Sequence, residues 1–136
     1  MAPAVSSQHT ALPWQVRLPQ VTQDLRDLER RLAKREAAQP GIRDDNHARI
    51  VWIDSARPQR TDYALVYLHG FTASQGEGEP QHRRLACDIG GNLYLPRLRG
   101  HGLLAADALR GIRARDWIDA AAEALATAVH GLLLPR

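Results

Sequence analysis

From Val21 the apolar residues recur at helical spacing, with Val21, Leu25, Leu28 and Leu32 falling on one stripe. Thr22 is a candidate N-cap and Gln39-Pro40-Gly41 ends the segment, so a helix is predicted over residues 21–38. Alone it would be marginal, so its apolar stripe must lie against something. The pattern then changes to strand-like runs. Residues 49–53 are β-branched and aromatic, and residues 56–61 with Pro58 form a turn. Residues 63–68 are almost continuously apolar, as a central strand covered on both faces would be. A third strand, Asn92-Leu93-Tyr94-Leu95, is closed by Pro96. Between the last two runs lies a short helix over residues 80–89, with Pro80 at its first position and Gly90-Gly91 as its stop. A further amphipathic helix near residues 114–130 carries Trp117, Ile118, Ala121, Leu125 and Val129. Strand, helix, strand, helix in this order argues for a parallel βαβ unit with a right-handed crossover. The expected class is α/β: a partial, mostly parallel sheet of about three strands with flanking helices over residues 21–136. Residues 1–20, with Pro3, Pro13 and Pro19 and no periodicity, read as an extended or poorly ordered lead-in.

Composition narrows the picture modestly. The chain has 136 residues, 44% hydrophobic and 24% charged, which is a globular balance and argues against wholesale disorder. The net charge is +3, carried almost wholly by arginine, with Lys34 the single lysine. In the densest basic stretch, Arg30 to Arg35, the bases are interleaved with Asp24, Asp27, Glu29 and Glu36. That reads as a solvated helix face laced with i,i+4 pairs rather than a nucleic-acid site, and no aromatic pattern suited to base stacking accompanies it. Cys87 is the only cysteine, so neither an internal disulfide nor a cysteine-rich zinc site is expected. No apolar run approaches the ~20 residues of a membrane span, and residues 1–10 lack the apolar core of a signal peptide. A soluble cytoplasmic protein is expected.

The informative chemistry follows the second strand: His69-Gly70-Phe71-Thr72-Ala73-Ser74. A buried parallel strand that ends in a sharp Gly-containing turn lets backbone N–H groups point into the crevice at the carboxyl end of the sheet, where open α/β sheets bind ligands. In acyl transfer such a turn supplies a donor to the negative oxygen of a tetrahedral intermediate. The next strand runs into Pro96-Arg97-Leu98-Arg99-Gly100-His101-Gly102, and Asp116-Trp117-Ile118-Asp119-Ala120 follows with Glu123-Ala124-Leu125. Taken together and in this order, these three motifs resemble the third strand, the fourth strand and the helix before the nucleophile strand of the α/β-hydrolase family. The resemblance covers about residues 49–128 and is nearest to bacterial esterase, lipase or serine-aminopeptidase-like hydrolases.

By that resemblance the backbone N–H of Phe71 would be one oxyanion-hole donor. His69, Gly70, Gly100, His101 and Gly102 would hold the turn and loop, with neither histidine acting as catalytic base. Glu77, Glu79 and His82 read as ordinary surface polarity, and no metal or cofactor is implied. The family's reaction, serine-dependent hydrolysis of a small-molecule carboxylic ester or related acyl compound, needs a Gly-x-Ser-x-Gly elbow, then an acid, then a histidine. Ser6, Ser7, Ser55 and Ser74 have no such context, so no catalytic residue is assigned. Ser74 lacks a positioned base and would be a poor nucleophile. Residues 127–136 are expected to depart from the family pattern, as a premature stop or frameshift near codon 126 would produce, leaving a truncated, inactive copy. Without the nucleophile strand, residues 63–68 would form an open sheet edge prone to self-association. The alternative is a non-enzymatic binding or interaction module built on the half-sheet. A nucleotide-binding βαβ protein is disfavoured because neither Gly-x-Gly-x-x-Gly nor Gly-x-x-x-x-Gly-Lys-Ser/Thr occurs.

Overall fold

The computed structural model describes residues 16–135, so most of the lead-in expected over residues 1–20 lies outside the described residues. Helix α1 spans Leu25–Ala37. It starts four residues later than predicted because Asp24, not Thr22, caps it: the Asp24 carboxylate accepts the Asp27 N–H at 2.9 Å. Strand β1 is Arg49–Val51, β2 is Ala64–Val66 and β3 is Asn92–Leu95. A 3₁₀ turn over Gln75–Gly78, which the sequence pattern did not reveal, precedes helix α2 at Gln81–Asp88. Pro80 occupies the N-cap of α2 rather than its first helical position. Helix α3, Ala114–Ala126, runs on into a π-helical turn over Thr127–Leu132. A π turn places the next chain segment differently from a continued α-helix.

The sheet order is β1-β3-β2, with β3 parallel to β2 and antiparallel to β1. Two expectations change here. The sheet is mixed rather than mostly parallel: β1 lies on the far side of β3 from β2 and runs antiparallel to it. The central strand is β3, whose four residues are all buried, and not the run ending in His69-Gly70, whose strand β2 is only half-buried. The strands around β3 are also shorter than their apolar runs.

Side chains alternate across the sheet at the strand period of two. Ile50, Ala64, Val66 and Tyr94 face one side, where they meet Leu28 of α1, Ala124 of α3, Trp52 and Leu132. Val51, Leu65, Tyr67, Leu93 and Leu95 face the other, where Ala86 of α2 covers them. Asn92 is fully buried at the start of β3 and is polar by necessity. Its Oδ1 accepts the Ile53 N–H (3.1 Å) and its Nδ2 donates to the Gln59 carbonyl (2.8 Å), so one side chain satisfies two connecting segments.

Residues 127–135, expected to depart from the family pattern, pack into the fold. Leu132 is fully buried, and Leu133 makes a parallel bridge to Thr61 just before β2. The Thr61 N–H donates to the Leu132 carbonyl and the Leu134 N–H donates to the Thr61 carbonyl, both at 3.0 Å.

Candidate functional site

Because β2 and β3 are parallel, the segments that leave their carboxyl ends emerge on the same side of the sheet. The 69–74 turn follows β2, the 97–102 loop follows β3, and the N-terminus of α3 approaches both. The three sequence motifs therefore meet. Phe71 packs edge-on against Trp117 of α3 (ring centroids 5.3 Å apart), and His101 lies 5.8 Å from the same indole.

The turn itself is tight: the Ala73 N–H donates to the Gly70 carbonyl at 3.2 Å. Thr72 sits at φ +63, a left-handed conformation that a β-branched residue rarely adopts and that costs about 1–3 kcal/mol. Its N–H donates to His101 Nε2 at 3.3 Å, one of the contacts that holds it there. The Gly70 N–H donates to Glu77 Oε2 at 3.1 Å, and the Tyr67 hydroxyl reaches the same oxygen at 3.4 Å. Between these two committed donors, the Phe71 N–H has no partner among the described residues, and Phe71 itself is 67% exposed.

The opposing loop is fixed from two directions. Arg97 forms a buried, two-pronged ion pair with Glu36 of α1 (Nε to Oε2 2.8 Å, Nη2 to Oε1 3.2 Å), and Glu36 also accepts the Ala48 N–H at 2.9 Å. Arg99 pairs with Asp116 of α3 at 2.7 Å. The Asp116 carboxylate accepts the Arg113 N–H at the start of the helix (2.8 Å), and that bond, aided by the Arg99 guanidinium, holds its carboxyl below the usual range. Gly100 and Gly102 have φ +78 and +68. A Cβ on Gly100 would lie 2.7 Å from the Ala108 carbonyl oxygen, so no other residue fits there without displacing backbone.

His69 and His101 are both buried, with ring centroids 4.9 Å apart. Burial pushes the His69 imidazole below its ordinary pKa. A cleft of about 430 Å³ opens beside His101, lined by Arg43, Thr72, Ser74, Gly100, His101 and Gly102 among others. Ser74 Oγ accepts the Gly76 N–H (3.4 Å) and caps the 3₁₀ turn; no imidazole bonds to it among the described residues.

Two residues expected at the surface as ordinary polarity do more. Glu77 braces the turn through Gly70, and His82 is buried, with Nε2 at 3.0 Å from the Gln75 carbonyl and its ring edge-on to Tyr67. Glu79 pairs with Arg83 at 2.6 Å. Glu36, expected on a solvated face, is 4% exposed. A signal for it existed: position 36 continues the buried stripe of Leu28 and Leu32, where a carboxylate requires a partner. Cys87 is exposed and free, and no group of three or more His, Cys, Asp or Glu able to hold a metal occurs among the described residues. No described helix is long and apolar enough to cross a membrane. No protein-family model, curated protein or solved structure matches the chain.

Proposed function

We propose that this chain is the oxyanion-hole portion of an α/β-hydrolase-like serine hydrolase whose substrates are small carboxylic esters or related acyl compounds. The observation that carries this reading is the Phe71 N–H. Among the described residues it has no partner, between two neighbours whose N–H groups are bound, at the shared carboxyl end of two parallel strands. Preorganised donors of this kind act where charge develops, in a position that needs no rearrangement during reaction. Further support comes from the meeting of the His69-Gly70-Phe71 turn, the Arg97 to Gly102 loop and the Asp116-Trp117 helix. In this reading Phe71 supplies one donor and the residue after the nucleophilic serine supplies the second. His69, Gly70, Gly100, His101 and Gly102 hold the geometry. The 136 residues contain no Gly-x-Ser-x-Gly, so they do not by themselves complete a hydrolytic site.

A fluorophosphonate probe tests this. The 136-residue chain should remain unlabelled, while the chain extended by its downstream coding sequence should label at one serine in Gly-x-Ser-x-Gly. In the extended protein Phe71→Pro, which removes the donor, should lower turnover by about 10²–10³. Labelling of Ser74, or the absence of a Gly-x-Ser-x-Gly in every downstream frame, would overturn the reading. A second reading, an interaction module, is favoured by one observation. Beyond the Thr61–Leu133 bridge β2 has no strand on its outer edge among the described residues, and Tyr63 and Leu68 beside it are exposed. The partner in that case is a second copy of the chain.

A further inference from the structure

The two buried histidines tie the turn and the loop together in opposite directions. His69 belongs to the turn, and its Nε2 accepts the Leu98 N–H of the loop at 3.3 Å. His101 belongs to the loop, and its Nε2 accepts the Thr72 N–H of the turn at 3.3 Å. The other nitrogen of each ring faces a carbonyl oxygen: Nδ1 of His69 lies 3.1 Å from Gly70 O, and Nδ1 of His101 lies 3.1 Å from Arg99 O. A carbonyl oxygen can only accept, so each Nδ1 carries the hydrogen and each Nε2 offers a lone pair. The network thus assigns both rings the same neutral tautomer.

We propose that His69 and His101 form a reciprocal imidazole clasp that locks the 69–74 turn to the 97–102 loop near neutral pH and releases it when either ring takes up a second proton. A proton on Nε2 would convert the acceptor into a donor aimed at an N–H, replacing a hydrogen bond with repulsion. Water has little access to compensate, since the residues are 5% and 3% exposed. The rings are close enough that charging one also opposes charging the other.

The charged surroundings come from several elements. Arg97, whose Nη1 donates to the His101 carbonyl at 3.4 Å, disfavours an imidazolium at His69; Arg99 lies on the same loop and Arg43 lines the adjoining cleft. Glu77 on the 3₁₀ turn favours one at His69. Glu36 of α1 and Asp116 of α3 are already engaged by Arg97 and Arg99. Burial is the largest influence on His69 and keeps its ring neutral below the ordinary imidazole range. On release, Thr72 loses a contact that sustains its left-handed backbone, and the orientation of the adjacent Phe71 N–H is freed with it. The clasp does not depend on what the turn binds.

The test is amide hydrogen exchange by NMR on the 136-residue chain at about pH 7.5 and about pH 4.5, the lower value set well beneath the ordinary imidazole range because burial lowers the pKa of His69. Each rate is corrected for intrinsic pH dependence and compared with the amides of Leu93 and Leu95. Thr72 and Leu98 should lose about fivefold to tenfold of their relative protection in acid, the value of one net hydrogen bond. In His69→Gln with His101→Gln, the glutamine oxygen can accept the same N–H without titrating, so protection should stay flat. Unchanged relative protection in the wild type overturns the proposal, as does an equal acid loss in the double variant. Should that variant not fold, the ring ¹⁵N shifts of the wild type decide: protonated Nδ1 with bare Nε2 on both rings near pH 7.5 supports the clasp, and the reverse tautomer on either ring refutes it.

Discussion

Strands β2 and β3 run side by side in the same direction and deliver their chains to the same crevice, yet they are held by different means. β3 has a strand on each edge, helices on both faces and every residue buried. The loop after it is anchored by the buried Arg97–Glu36 pair. β2 has a ladder on one edge and is half-buried, and the turn after it is held by two imidazoles and the exposed Glu77. Their apolar content is similar. A run of apolar residues therefore reports that faces are covered, and says little about whether edges are. The consequence for the crevice is a rigid side, after β3, and a side that can be unlatched, after β2.

The largest expected effect is on the rigid side. Glu36→Ala leaves the Arg97 charge buried without its partner and should cost about 3–5 kcal/mol of stability in denaturant titration. Glu77→Ala, removing an exposed carboxylate, should cost no more than ~1 kcal/mol. Equal losses would erase the contrast between the two anchors. Next, Leu93→Ala in β3 should cost about 2–5 kcal/mol, and Leu65→Ala, its parallel neighbour in β2, roughly half as much because it is only partly buried. If the two losses match, β2 is covered in solution by something further.

A smaller effect is expected from pH. The folded-state pKa of His69 lies below its unfolded value, so the unfolded chain binds more protons in the interval between them. The His69 contribution is therefore fully present above an imidazole pKa of about 6.5 and is lost as the pH falls below it toward the lowered folded value. The melting temperature of the wild type should fall over that interval more than that of His69→Gln, and parallel curves would contradict the assignment. The smallest effect on stability belongs to the open edge. Tyr63→Lys should change stability by no more than ~0.5 kcal/mol while reducing self-association in sedimentation velocity. A wild type that is already a monodisperse monomer with one sharp thermal transition would sink the edge proposal.

Much of the framework was legible in the residues. The 3.6-residue stripe of α1 and the alternating or continuous apolar runs of the strands follow from which positions must leave water, and those positions are local in sequence. Gly100 could be suspected from its company, and the structure supplies the cause in its positive φ and the Ala108 carbonyl against it. What was not legible depended on distant partners. Glu36 meets Arg97 across 61 positions, and Thr72 meets His101 across 29. Neither pairing leaves a periodicity. Reading Glu36 as solvated went wrong because a helix face rich in charges outweighed its place on the buried stripe. The shortness of β2 and the antiparallel placement of β1 on the far side of β3 also escaped, since sheet order is decided by where connections lead.

The sequence by itself determined the elements, the turn that can present a backbone donor and the lack of any Gly-x-Ser-x-Gly, because each is written in neighbouring residues. The tertiary structure decided which strand is central, that Leu132 to Leu134 begin to pair beside β2, and that two histidines from different segments each accept a backbone N–H from the other's segment, His69 from Leu98 and His101 from Thr72. Those outcomes depend on which buried polar groups find partners, and a hydrogen bond between loops is settled only once the chain has brought them together.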